Sequence, residues 1–151
     1  MEDYERNIHS NIEEHGCSVT SVSDPDGDTP SFSYSIGIAK TAGAPELIVV
    51  GLKPKMGHWI VNEYNRRVAA GESFGPGVLY LGFLEGFAVQ FGQVSPESRK
   101  EYMRSACWLH GGPEFEALQL IWPSTSGTWP WEPEASEWFR STQPILSGQS
   151  T

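Results

Sequence analysis

The chain predicts one α+β domain: a largely antiparallel sheet or partly closed barrel of about six strands, with two or three helices. Short apolar runs punctuated by Gly, Pro and Asp recur along it, and separate stretches carry four-residue helical periodicity. The resulting order, α-β-β-β-α-β-β-α-β, contains too few helices to cover both faces of a parallel sheet. No internal repeat, linker or low-complexity segment divides it, so residues 1–151 are expected to form a single domain with a core over about 4–146. Ser147 to Thr151 are expected to fray.

Tyr4, Ile8 and Ile12 recur at four-residue spacing before Gly16, the pattern of a short amphipathic helix with a glycine stop. Cys17 and Val19 alternate with Ser18 and Thr20 ahead of Asp24-Pro25-Asp26-Gly27-Asp28, which predicts a strand turning back as Phe32 to Ala39. Leu47-Ile48-Val49-Val50 is compact and β-branched, so it reads as a buried central strand. Met56, Ile60, Tyr64 and Val68, with Trp59 beside them, form a helical stripe that ends at Gly71. Val78 to Phe83 and Phe87 to Val94 read as a hairpin bent at Gly86. Ser95-Pro96 supplies an N-cap and first-turn proline for a second long helix carrying Tyr102, Met103, Ala106, Cys107 and His110 on one face. After Gly111-Gly112-Pro113, Ala117 to Trp122 forms the last strand.

The formal charge of −9, from 19 acidic and 10 basic residues, repels phosphate backbones and excludes nucleic acid as the expected partner; a basic protein partner suits it better. Two cysteines, Cys17 and Cys107, make neither a disulfide framework nor a Cys-x-x-Cys pair, so no metal or cofactor is expected. The acidic start Met1-Glu2-Asp3-Tyr4-Glu5 and the lack of a long apolar run predict no signal peptide, no membrane association and a cytoplasmic location.

Three segments together form a signature: Phe32 to Ile38, Ala44 to Leu52, and Leu118-Gln119-Leu120-Ile121-Trp122-Pro123 with Gly127-Thr128-Trp129-Pro130-Trp131. On these residues the chain resembles the bacterial DUF4262 family, from about His15-Gly16 to Pro144-Ile145-Leu146. The resemblance implies no established activity. It also implies an acidic residue after the tryptophan-proline pair, where this chain has Ser124.

Gly71-Glu72-Ser73-Phe74-Gly75 matches a serine-nucleophile elbow in letters, but it follows a helix where the elbow needs a strand, and so reads as a loop. The acidic run at Asp24 to Asp28 places its glycine too early for a calcium loop and has Ser35 where that loop needs a glutamate; a hairpin turn explains it. His15 with Cys17 and Cys107 with His110 offer a Cys/His pair if the fold joins them, but core packing and helix capping are the favoured account of them. Glu46, behind Pro45 at a strand entrance, either orients a ligand or accepts hydrogen bonds from a neighbouring loop, and the second is favoured.

Four of the six tryptophans lie in the segment Trp122 to Trp138. They predict a clasp pinned across the domain, with Trp129 and Trp131 sending both rings one way around Pro130. The candidate binding residues are therefore Tyr34, Ser35, Glu46, Trp122, Trp129 and Trp131, converging on one groove. Two function classes fit. The first is a small acidic binding module, of accessory, immunity or antitoxin-like kind, that meets a basic protein. The second is a small-ligand protein or enzyme with a cleft at Tyr34, Glu46 and the tail tryptophans, and His15 or His58 as acid/base.

Overall fold

The computed structural model describes residues 2–24, 26–27 and 29–147. Its elements are α1 (Glu2–His15), β1 (Ser18–Val22), β2 (Phe32–Ile36), α2 (Ile38–Thr41), β3 (Glu46–Val50), α3 (Pro54–Ala69), β4 (Tyr80–Leu84), β5 (Phe87–Gln93), α4 (Pro96–Tyr102), α5 (Arg104–His110), β6 (Ala117–Ile121) and α6 (Glu137–Thr142). The fold class is α+β, as the sequence predicts. Six strands form one open sheet in the order β1-β2-β3-β6-β5-β4, antiparallel everywhere except between the central β3 and β6.

The sheet stays open because helices cover both of its faces. On one face α3 lays Ile60, Val61, Tyr64 and Val68 over Leu47, Val49, Leu118 and Leu120. On the other, Ile8 of α1 and Met103 and Ala106 meet Tyr34, Ile36, Ile48 and Val50. The strict alternation along β3 feeds two cores at once, which is why a strand of five buried residues is uniformly apolar after Glu46. Six helices are present among the described residues, more than the sequence predicts. The long helix expected after Ser95 is two short ones, broken at the fully buried Met103, whose backbone leaves the helical region. Ser95 does cap it, accepting from the Ser98 N–H at 3.1 Å.

Of the expected acidic turn, Pro25 and Asp28 lie outside the described residues, as do residues 148–151 of the expected frayed end. Asp24 accepts from the Asp26 N–H and from the Thr29 N–H and hydroxyl, so its carboxylate closes the turn itself. The Gly71 to Gly75 segment is a loop. No helix among the described residues is long and apolar enough to cross a membrane.

One glycine sets the distance between α3 and the sheet. A Cβ on Gly57 would stand 2.5 Å from Ser33 Oγ and 2.9 Å from Ser33 Cβ. In an open helix, Gly→Ala gains roughly 1 kcal/mol. Gly57→Ala is expected to reverse that sign and cost about 1–3 kcal/mol through overpacking, measured by urea denaturation. A variant as stable as the parent would mean that the helix is not held at this distance.

Candidate functional site

The strand expected over Phe32 to Ala39 stops at Ile36 because the next three residues turn their N–H groups onto one carboxylate. Gly37 sits at φ 111°, and a Cβ there would lie 2.8 Å from Ile12, so the turn requires glycine. The N–H groups of Gly37, Ile38 and Ala39 donate to Glu46 at 2.9, 3.1 and 3.3 Å. Successive amides arranged in this way form a concave anion seat. The Ser35 hydroxyl donates to Glu46 Oε1 at 2.6 Å while its oxygen accepts from the Leu47 N–H. His110 Nε2 lies 2.7 Å from Oε2. Glu46 is fully buried and has five partners, the loop-fixing role favoured from sequence.

Chemically the pair orients His110, whose ring is also stacked on Phe115 at 4.7 Å. The histidine borders an open depression of about 430 Å³ with Lys40, Glu114 and Glu116. A histidine held by a buried carboxylate makes two of the three members of a catalytic triad. No third member is in place: among the described residues no serine, threonine or cysteine hydrogen-bonds His110, and Ser35 is spent on Glu46 and Leu47. The arrangement therefore joins the entrance of β3, the start of α2 and the end of α5. Its negative charge is felt nearby, since burial first and Glu46 second push the Cys17 thiol up to about 12 and raise the Tyr64 phenol. Cys17 is thus a protonated core thiol.

The other candidates from sequence do not gather at this point. Tyr34 is buried on the α5 side, its hydroxyl accepting from the Ser105 N–H at 3.0 Å, and desolvation raises its pKa. Trp122 lies at the far end of β3 and donates its indole N–H to the Val50 carbonyl at 2.9 Å. Trp129 and Trp131 stack with ring centroids 5.6 Å apart, 4° from parallel, and Trp131 is exposed. Neither has a hydrogen bond or ring contact to Tyr34, Ser35 or Glu46 among the described residues. His15 is exposed beside Glu14, Cys17 belongs to the α3-side core, and Cys107 packs on the opposite one. Ser124 closes a turn by accepting from the Thr128 N–H.

A large concavity lies elsewhere, between the first half of α3 and the tip of the β4–β5 hairpin, with a volume of about 1100 Å³. It exists because β4 breaks register around Gly82, at φ 97°, while Arg67 caps the Leu81 carbonyl at 3.0 Å and lies over Phe74 and Phe83. The hairpin curls over the aromatic cluster of Phe74, Tyr80, Phe83 and Phe91 and leaves the start of α3 uncovered. Met56 and Trp59, which the sequence places in the core-facing stripe, are 47% and 53% exposed there. They line the groove with Leu52 and Leu84, while Lys53, Lys55 and His58 stand on the same wall and Glu85 on the hairpin. No sequence signal separated Met56 from Ile60 in the stripe; only the path of the hairpin does.

The family model for a domain of unknown function, DUF4262, matches residues 11–136. The chain belongs to this family. Two segments that carried the resemblance, Phe32 to Ile38 and Ala44 to Leu52, hold the whole Glu46 seat except His110 and Ala39. The DUF4262 match ends before α6, so residues Phe139, Gln143 and Leu146 of the tail lie beyond it. Neither a curated protein nor a solved structure matches the chain.

Proposed function

We propose that this DUF4262 protein is a non-catalytic binding module whose working surface is the groove between α3 and the β4–β5 hairpin. One observation carries this: Met56 and Trp59 continue the core stripe of α3 yet stay exposed, at the mouth of a concavity of ligand size. The Glu46–His110 pair supports a binding role over catalysis, since its carboxylate is saturated by internal donors and lacks a nucleophile. The bulge at Gly82 and the capped Leu81 carbonyl disfavour strand addition along β4, so side-chain packing is the mode of capture.

Decanol is a suitable neutral probe. Titrating it while following the indole N–H resonance of Trp59, assigned with Trp59→Phe, is expected to move that signal together with backbone amides of Met56 and Leu84. Trp59→Ala should weaken binding about tenfold or more, because truncating a buried aromatic contact costs at least roughly 1–2 kcal/mol at a binding centre. Shifts scattered over the surface, or affinity unchanged in Trp59→Ala, would reject the groove.

The net charge supports a second reading in which a basic protein is the partner. Asp3, Glu13 and Glu14 of α1 are exposed. An affinity for a basic protein that falls steeply with ionic strength and is indifferent to Trp59→Ala would favour it.

A further inference from the structure

The groove has a charge pattern unlike the rest of the chain. From Ser73 to Ser95 the only charged residue is Glu85, so one wall and its floor are almost without charge. The facing wall opens with Lys53 and Lys55, both exposed, flanking the entry of α3, and His58 follows one turn on. Among the described residues neither lysine pairs with a carboxylate, whereas Arg66 and Arg67 on the same helix are held by Glu63 and Glu72. In a chain of net charge −9, two unpaired cations are thus placed at the edge of an apolar recess.

We infer that the groove takes an amphipathic anion: an alkyl or acyl chain lying against Leu52, Met56, Trp59 and Leu84, with a carboxylate or similar head group at Lys53 and Lys55. This rests on the binding role proposed above and names its ligand class. The apolar contact supplies most of the affinity, which rises about fourfold for each methylene buried. The lysines supply selectivity, because an anion there replaces water on two cations while a cationic head meets repulsion from both. Glu85 opposes this from the hairpin, one carboxylate against two ammonium groups. The long-range field of the acidic chain is screened beyond roughly 8 Å at physiological ionic strength, so the local pair decides.

The test compares three probes of equal chain length, decanol, decanoate and decyltrimethylammonium, by calorimetry at physiological salt on the full chain. Decanoate is expected to bind about three- to tenfold tighter than decanol, the gain of partly exposed ion pairs, and decyltrimethylammonium weakest. In the double variant Lys53→Gln, Lys55→Gln the preference for decanoate is expected to vanish while decanol affinity stays within about twofold and the melting temperature is unchanged, since neither side chain makes a structural hydrogen bond. Decanol and decanoate binding equally, decyltrimethylammonium binding tightest, or a preference that survives in the double variant would each overturn the anion assignment and leave the groove standing. Failure of all three probes to bind would overturn the groove and the assignment with it.

Discussion

Replacing Glu46 with glutamine is expected to lower the unfolding free energy by about 3–5 kcal/mol, the cost of breaking a buried hydrogen-bonded network from one side. Oε1 accepts from Ser35 and Ile38, and Oε2 from Gly37, Ala39 and His110. An amide has only one acceptor oxygen. Whichever way it sits, its NH₂ faces at least one backbone N–H that has no other partner, and each such stranded donor costs about 1–3 kcal/mol. Urea denaturation reads the loss as a lower midpoint at unchanged slope. His110→Ala should be less costly than Glu46→Gln, and the two together less than their sum, because both remove the same contact. A midpoint within experimental error of the parent would show that Glu46 is not the fastener of this corner.

Deleting residues from Glu137 onward is expected to abolish cooperative folding near room temperature. Gln143 is fully buried and accepts from the Trp122 N–H while donating to the Trp122 carbonyl, at 2.9 and 2.8 Å. Gln119 does the same for the incoming tail, donating to the Pro144 carbonyl and accepting from the Leu146 N–H, both at 2.9 Å. The Gln143 side chain therefore stands in for strand pairing just past the end of β6, and the Gln119 side chain, from the middle of β6, ties down the tail. Truncation strands these groups and removes the buried Phe139, which packs edge-on against Trp122, together with Leu146. Losing a buried Phe and Leu costs about 5–10 kcal/mol before the stranded polar groups are counted, which matches the whole stability of a domain this size. Near-ultraviolet circular dichroism and a thermal melt check it: a sharp transition within a few degrees of the full chain would mean that the tail is an appendage.

The tail shows where pattern reading succeeds and where it stops. Trp122 is a clasp, as its place at the end of an apolar run predicts, whereas Trp129 and Trp131 stack in parallel across a turn, closed by the Glu132 N–H on the Trp129 carbonyl, where the sequence predicts extended chain. Trp131 and Trp138 are nevertheless 52% and 71% exposed, and the fastening falls to Phe139 in a short helix that no periodicity announced and to Gln143, which ends it. Six residues offer too few turns for a helical repeat, and Ser136, which caps it by accepting from the Phe139 N–H, is the one local sign.

Glu46 divides in the same way. Its position behind Pro45, at the entrance of an apolar strand, is enough to mark a carboxylate that needs donors, and Ser35 was close at hand once β2 and β3 were neighbours. His110 was not legible, because it stands 64 residues away and its helical spacing linked it to Cys107, which in fact donates toward the Arg99 carbonyl. The two candidate Cys/His pairs likewise sat on opposite faces of a sheet whose two-sided burial sequence order did not reveal.

What the sequence alone determined is the set of elements with strong periodicity or punctuation: α1, the two hairpins, α3, the central β3 and β6, and the capped start of α4. These depend on neighbours within one turn or one strand, so local composition specifies them. What only the tertiary structure decided is which apolar residues find a partner. Met56 and Ile60 are equivalent on the helix, but Ile60 meets the sheet while Met56 lies where the hairpin, bent at Gly82, has curled away. Burial is a property of the surface that arrives from elsewhere in the chain, and a groove is the place where none arrives.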